Sequence, residues 1–242
     1  TDIPEAEYLF LVRRIEELIK EGSEPQEIAV LYRENREAEA VAEVFERHGL
    51  PFVIESDQNI LADPDIQKLL KLLEAIHDLG NEGRLAEALH IDFLKIPPLD
   101  IYKLLEGRVK NNYASLYDLI GKAPLLESLG LEDPASLKQL YDNLSRWKRE
   151  SKNRSFLDFF SHIVRDSGYI DHLLGNPGYF EKVGKLNTLF DEIKKTVGNR
   201  GDYTLADFIQ YLAIIREHNV RIRNKAVYLP HVVRLMTAHK AK

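Results

Sequence analysis

At 242 residues, 44% hydrophobic and 30% charged, with a formal net charge of −6, the chain has the composition of an ordinary globular protein. That length suits one large domain or two smaller ones. It contains no cysteine, which excludes disulfides and thiolate metal sites and makes a reducing, cytoplasmic setting the default expectation. It has no run of about 18 apolar residues, as a membrane helix needs, and Thr1-Asp2-Ile3-Pro4-Glu5 lacks a basic start and an apolar signal core, so no membrane partner is expected.

The first segment reads as a helix. Asp2 and Glu5 have capping-box spacing, and Tyr8, Leu11, Val12, Ile15 and Leu18 recur on one face until Gly22. Ile28-Ala29-Val30-Leu31-Tyr32 is a short apolar run that suits a buried strand. Val41, Val44 and Phe45 then mark a helix ended by Gly49, and residues 51–54 read as a second strand. Helix, strand, helix, strand is the alternation of an α/β layer with parallel pairing.

From Asp63 the pattern becomes helical and stays so. Asp63-Pro64 and Asp133-Pro134 each place a cap residue before a proline at the first helical position. The first helix points Ile66, Leu69, Leu70, Leu73 and Ile76 inward, and the second Leu137, Leu140, Leu144 and Trp147. Shorter helices are expected around 84–90, 98–107 and 115–121. Ser155 with Asp158 starts another, residues 178–197 make a long one, and Thr204 with Asp207 caps the last. After a polar, basic loop at 216–227, residues 232–236 read as a strand again. The expected fold is mostly α, with a small parallel sheet built from 28–32, 51–54 and 232–236.

Charge is spread unevenly. Residues 1–78 hold 8 Lys/Arg against 19 Asp/Glu, and the remainder 25 against 20. Local basic patches can therefore hide inside an acidic total. Arg146-Trp147-Lys148-Arg149, with Lys152 and Arg154, interleaves an aromatic with cations as a single-strand platform does. Trp147 also continues the apolar stripe of its helix, and core packing is the preferred reading. His77-Asp78 has no second histidine cluster at ligand spacing, and His162, His172 and His218 are scattered singly, so structural or surface roles are expected for them. A Gly-x-x-x-x-Gly-Lys-Ser/Thr phosphate loop and a nucleophile elbow are both absent from the sequence.

Two stretches carry a specific resemblance. Ile28-Ala29-Val30-Leu31-Tyr32-Arg33-Glu34-Asn35 resembles the strand-and-turn motif of superfamily 1 DNA helicases of the UvrD/Rep/PcrA type, and Gly49-Leu50-Pro51-Phe52 and the helix from Pro64 follow in the family's order. Val233-Arg234-Leu235-Met236-Thr237-Ala238-His239-Lys240-Ala241-Lys242 resembles the start of that family's motif V. The resemblance implies a helical 2B-type domain, residues 64–230, inserted into a partial RecA-like 2A motor domain of the P-loop NTPase type, residues 1–63 and 231–242. It further implies that the longer protein uses ATP and Mg²⁺, translocates on single-stranded DNA and unwinds duplex DNA. The 242 residues alone, lacking the phosphate loop and the Mg²⁺-binding acids, are expected to be inactive.

On the same footing Asn35, Thr237 and His239 are expected to touch the DNA backbone, with Arg33 presented at the same sheet edge. Open α/β sheets bind ligands at that carboxyl edge, and amide, hydroxyl and imidazole groups suit backbone contacts. An ion pair to the acidic helix that follows is the competing role for Arg33. Relatives carry a Gly-Ile-Gly turn suited to duplex phosphates, whereas the matching region here, Phe93 to Leu99, has no glycine. The resemblance also implies that the helical domain turns about its two connections and responds to DNA or a regulatory protein partner. A free-standing helical interaction module without a motor is the alternative, and a nuclease-associated helicase of the AddA/RecB kind is a third reading.

Overall fold

The computed structural model describes residues 5–33, 35–55, 59–110, 115–176, 179–198, 200–223 and 231–237. In chain order these form α1 (Glu5–Lys20), β1 (Ala29–Tyr32), α2 (Asn35–Arg47), β2 (Phe52–Glu55), α3 (Pro64–His77), α4 (Glu82–Leu89), α5 (Pro98–Lys110) and α6 (Leu116–Gly121). There follow α7 (Ala123–Ser128), α8 (Pro134–Asn153), α9 (Phe156–Asp166), α10 (Tyr169–Leu174), α11 (Tyr179–Val197), α12 (Leu205–Glu217) and β3 (Val233–Thr237). The protein is mostly helical, with a three-stranded parallel sheet. Among the described residues no helix is long and apolar enough to cross a membrane.

The chain divides into two compact units. The first comprises residues 1–62, 173–191 and 221–242, and the second residues 63–172 and 192–220.

In the first unit the strand order is β1-β3-β2, so the last strand in sequence lies in the middle. Parallel strands cannot be joined by tight hairpins. Here β1 and β2 are linked through α2, whereas β3 arrives from far along the chain. Val30 pairs with Leu235 and Tyr32 with Thr237 on one side, and Phe52 pairs with Val233 and Ile54 with Leu235 on the other. Alternation along the strands puts these side chains on one face. There Val30, Tyr32, Phe52, Ile54, Val233 and Leu235 join Val12 and Ile15 of α1 and Val41, Val44 and Phe45 of α2 in a single apolar core. Leu31 projects from the opposite face and is 53% exposed.

The second unit is organised around α3. Leu69, Leu70, Leu72, Leu73, Ala75 and Ile76 are all fully buried, a wide apolar face that places this helix at the centre of its domain. It packs against α4, α8 and α12. Asp63 caps it by accepting hydrogen bonds from the main-chain N–H groups of Asp65 and Ile66, with Pro64 in the first turn. Ser155, Thr204 and Asp133 cap α9, α12 and α8 in the same manner, and Thr204 and Asp207 form a reciprocal box. Asp133 is itself held by Asp100, whose fully buried carboxylate accepts the main-chain N–H groups of Glu132 and Asp133 at 2.7 Å each.

Two features of this unit yield testable outcomes. Gly121 ends α6 against the ring of Tyr141, and a Cβ there would lie 2.6 Å from Tyr141 Cε2 and 2.8 Å from Cζ. That ring also packs, tilted, at 4.8 Å from the ring of Tyr117. Gly121→Ala should therefore destabilise the unit by about 1–3 kcal/mol through overpacking, despite alanine's better helix propensity of about 1 kcal/mol. A urea unfolding midpoint equal to or above that of the parent would show that the ring moves freely.

The second feature is Asp166. Burial pushes its carboxyl upward, but hydrogen bonds from Arg146 at 2.6 Å and from the Trp147 indole N–H at 2.7 Å outweigh that and hold it below the ordinary aspartate value. A depressed folded-state value means the stabilisation is complete above the unfolded pKa of about 3.9 and is lost as pH falls through the lower folded value. Asp166→Asn should flatten the acid limb of stability in that window. An unchanged limb would place the acid sensitivity elsewhere.

Candidate nucleic-acid interface

Because the three strands are parallel, their carboxyl ends share one edge of the sheet. Tyr32 and Thr237 are paired in register, so the residue after β1, Arg33, and the last residue of β3, Thr237, stand side by side on that edge. Arg33 is exposed. Its main-chain N–H donates to Glu37 Oε2 at 2.9 Å, which closes the turn from β1 into α2. Asn35 is the first residue of α2. His239 lies outside the described residues. The structure thus brings Arg33, the start of α2 at Asn35, and Thr237 together through strand pairing between segments far apart in sequence.

This edge offers a cation, an amide-bearing residue and a hydroxyl-bearing residue. Such groups hold phosphate and sugar without reading bases. The turn between β1 and α2 is not glycine-rich, and the sequence has no phosphate loop, so these residues do not build a nucleotide-phosphate cradle. Among the described residues no group of three His, Asp or Glu side chains is arranged to hold a metal ion.

A short 3-10 turn, Ile60–Ala62, leads into α3. The Asn59 side chain accepts hydrogen bonds from the main-chain N–H groups of Leu61 at 3.2 Å and Ile222 at 3.1 Å, and the Ile60 N–H donates to the Ile222 carbonyl. Asn59 and Arg223 form an isolated antiparallel bridge. The two segments flanking the second unit are therefore tied to each other within the first.

In the second unit, the region without glycines keeps a left-handed turn. Lys95 has φ 58°, in the zone that favours glycine. It follows a 3-10 turn, Asp92–Leu94, and precedes α5. That turn is braced by a polar cluster invisible in the linear pattern. Lys68 contacts Asp92 at 2.7 Å and Asp65 at 3.1 Å, and His172 Nε2 lies 3.1 Å from Asp65 Oδ1. Burial lowers Lys68 and raises Asp92, but their mutual hydrogen bond and charge, together with Asp65 on the lysine and with His172 and the Phe93 N–H on the aspartate, outweigh it, so the lysine is raised and the aspartate lowered. Phe93 packs edge-on against Tyr169 at 5.4 Å. His172 stands 107 residues from Asp65 in sequence, so no local spacing announces the cluster.

Trp147 is fully buried, with its N–H on Asp166, and is core rather than a stacking platform. His77 ends α3, and its carbonyl accepts from the Lys148 ammonium. His162 lies 3.0 Å from Glu150.

Comparison with known proteins assigns the chain to a family. The family model described as UvrD-like helicase C-terminal domain matches residues 2–242. The chain is 27% identical over 225 residues to an ATP-dependent helicase/nuclease subunit of Natranaerobius thermophilus, covering 89% of this chain and 17% of that protein. It is 26% identical to the protein of the same name from Bacillus licheniformis, covering 90% and 18%. It is 22% identical over 262 residues to the ATP-dependent DNA helicase PcrA of Staphylococcus aureus, covering 100% and 32%. The chain thus spans a third or less of the length of these relatives. It belongs to the UvrD-like helicase C-terminal domain family.

Proposed function

We propose that these residues are part of a longer ATP-dependent DNA helicase that translocates on single-stranded DNA and separates duplex strands. The carrying observation is the β1–β3 pairing, which sets Arg33 and Thr237, from opposite ends of the chain, on one carboxyl edge. On this reading residues 1–63 and 231–242 belong to a RecA-like motor domain, and residues 64–230 are a helical domain inserted into it. Support comes from the sheet itself. Among the described residues its helical layer, α1 and α2, covers the face opposite Leu31, and both β1 and β2 are edge strands. Parallel strands with helices packed on a face form the α/β layer that this reading requires.

In the mechanism, Arg33, Asn35, Thr237 and His239 hold the phosphodiester backbone at the sheet edge. ATP and Mg²⁺ are bound by the longer protein through residues beyond this chain, and ATP hydrolysis supplies the energy for stepping. The helical unit regulates strand separation by contact with DNA or a protein partner.

The test is steady-state phosphate release by the longer protein with and without single-stranded DNA. DNA-stimulated hydrolysis supports the proposal, and hydrolysis indifferent to DNA contradicts it. The 242 residues alone should release none. A second reading, a helicase working with a nuclease, is favoured by the two relatives whose names couple helicase with nuclease. ATP-dependent degradation of duplex ends by the longer protein and its partner distinguishes it.

A further inference from the structure

Arg33 lies just past Tyr32, the last paired residue of β1, and its main-chain N–H leaves the ladder for the Glu37 carboxylate at 2.9 Å. A backbone donor at a strand end needs such an acceptor. Glu37 stands in the first turn of α2, where a carboxylate also suits the positive end of the helix dipole. The helix that carries it is fixed, because Ala38, Val41, Val44 and Phe45 are buried in the core of the first unit. One side chain therefore fastens the end of β1 to a rigid helix and closes the segment that bears Arg33 and Asn35. The contact is to main chain, and the Arg33 side chain stays exposed.

We propose that Glu37 is a positioning residue for the DNA edge. It sets the turn from which Arg33 and Asn35 meet the phosphodiester backbone, and it acts through those two residues. The assignment rests on the helicase reading above. The same carboxylate brings a negative charge to an edge that must take phosphate, so placement and electrostatics pull in opposite directions. Glu37→Gln separates them, since its amide oxygen can still accept from the Arg33 N–H while the charge is gone. Glu37→Asp does the reverse, keeping the charge on a side chain one methylene shorter that draws the oxygen away from the N–H. Glu37→Ala loses both.

The experiment is ATP hydrolysis by the longer protein, measured across a range of single-stranded DNA concentrations. Glu37→Gln should half-saturate at about twofold less DNA than the parent, the modest gain from removing one screened like charge. Glu37→Asp should need about fivefold more DNA than the parent, the scale of one lost hydrogen bond. Glu37→Ala should need about fivefold more than Glu37→Gln, although neither carries the charge. In each variant the rate at saturating DNA should change less than the half-saturation point, because the turn governs how DNA is held. Thermal unfolding shows which variants keep the fold, and Glu37→Gln against Glu37→Asp decides the matter if Glu37→Ala does not.

Equal half-saturation for Glu37→Gln and Glu37→Ala overturns the proposal, since charge alone would then explain both. So does a Glu37→Asp protein that matches the parent. Hydrolysis by the parent that ignores DNA removes the helicase reading and this proposal with it. Normal stimulation of the parent, with Gln, Asp and Ala variants all alike, removes the proposal alone.

Discussion

Trp147→Ala is expected to cost about 3–5 kcal/mol of stability, the range for deleting a large aromatic from a close-packed core. Trp147 is fully buried on α8, beside Leu144 and Leu140 of the same stripe. Its truncation empties a volume that rigid helices cannot fill. It also removes the 2.7 Å hydrogen bond to Asp166, which then keeps Arg146 at 2.6 Å. Trp147→Phe separates the two effects, since it retains most of the ring and loses only the N–H. A loss of about 1–2 kcal/mol is expected for it. Urea unfolding followed by circular dichroism is the measurement, because Trp147 is the only tryptophan and its fluorescence vanishes in both variants. A cost below about 1 kcal/mol for Trp147→Ala would mean that this helix packs loosely.

The second large effect concerns the sheet edge. In the longer protein, Asn35→Ala and Thr237→Ala should each lower DNA-stimulated ATP hydrolysis by about tenfold at subsaturating DNA. That figure follows from losing one charge-assisted hydrogen bond to a phosphate, about 1.4 kcal/mol. Arg33→Ala should also reduce the salt slope of DNA binding by about one. Stability should hardly change, since Arg33 is exposed and Thr237 is the terminal residue of β3. Hydrolysis stimulated to the same extent in all three variants, at the same DNA concentration, would remove these residues from the DNA path.

Much of this is legible in sequence where local chemistry decides the structure. The three strands lie within a residue of the apolar runs at 28–32, 51–54 and 232–236, because a short apolar run between breakers has few other places to go. Asp63, Asp133, Ser155 and Thr204 cap the helices they precede, since a side-chain oxygen at that position satisfies otherwise orphaned N–H groups. The short helices α7 and α10 escape a reading of the sequence. Each has six residues, fewer than two turns, too short for a periodic stripe to register.

Long-range arrangements leave no trace in the linear pattern. The cluster of Lys68, Asp65, Asp92 and His172 depends on packing between distant segments, and a lone histidine in sequence gives no hint of it. The left-handed turn at Lys95 is similar. A lysine is a poor marker for positive φ, and only the surrounding contacts impose it. Residues 173–191 group with the first unit by compactness, a property on which helical periodicity is silent. At the candidate interface, the sequence supplied the identities of Arg33, Asn35, Thr237 and His239. Parallel register then put Arg33 beside Thr237.

Whether this chain works within a motor that separates DNA strands is decided by watching the longer protein do so. The substrate is a duplex with a single-stranded tail and a fluorophore–quencher pair at the junction. Fluorescence should rise only with hydrolysable ATP and Mg²⁺, and Asn35→Ala with Thr237→Ala should slow the rise. A protein that hydrolyses ATP normally yet leaves every tailed duplex closed would contradict the account.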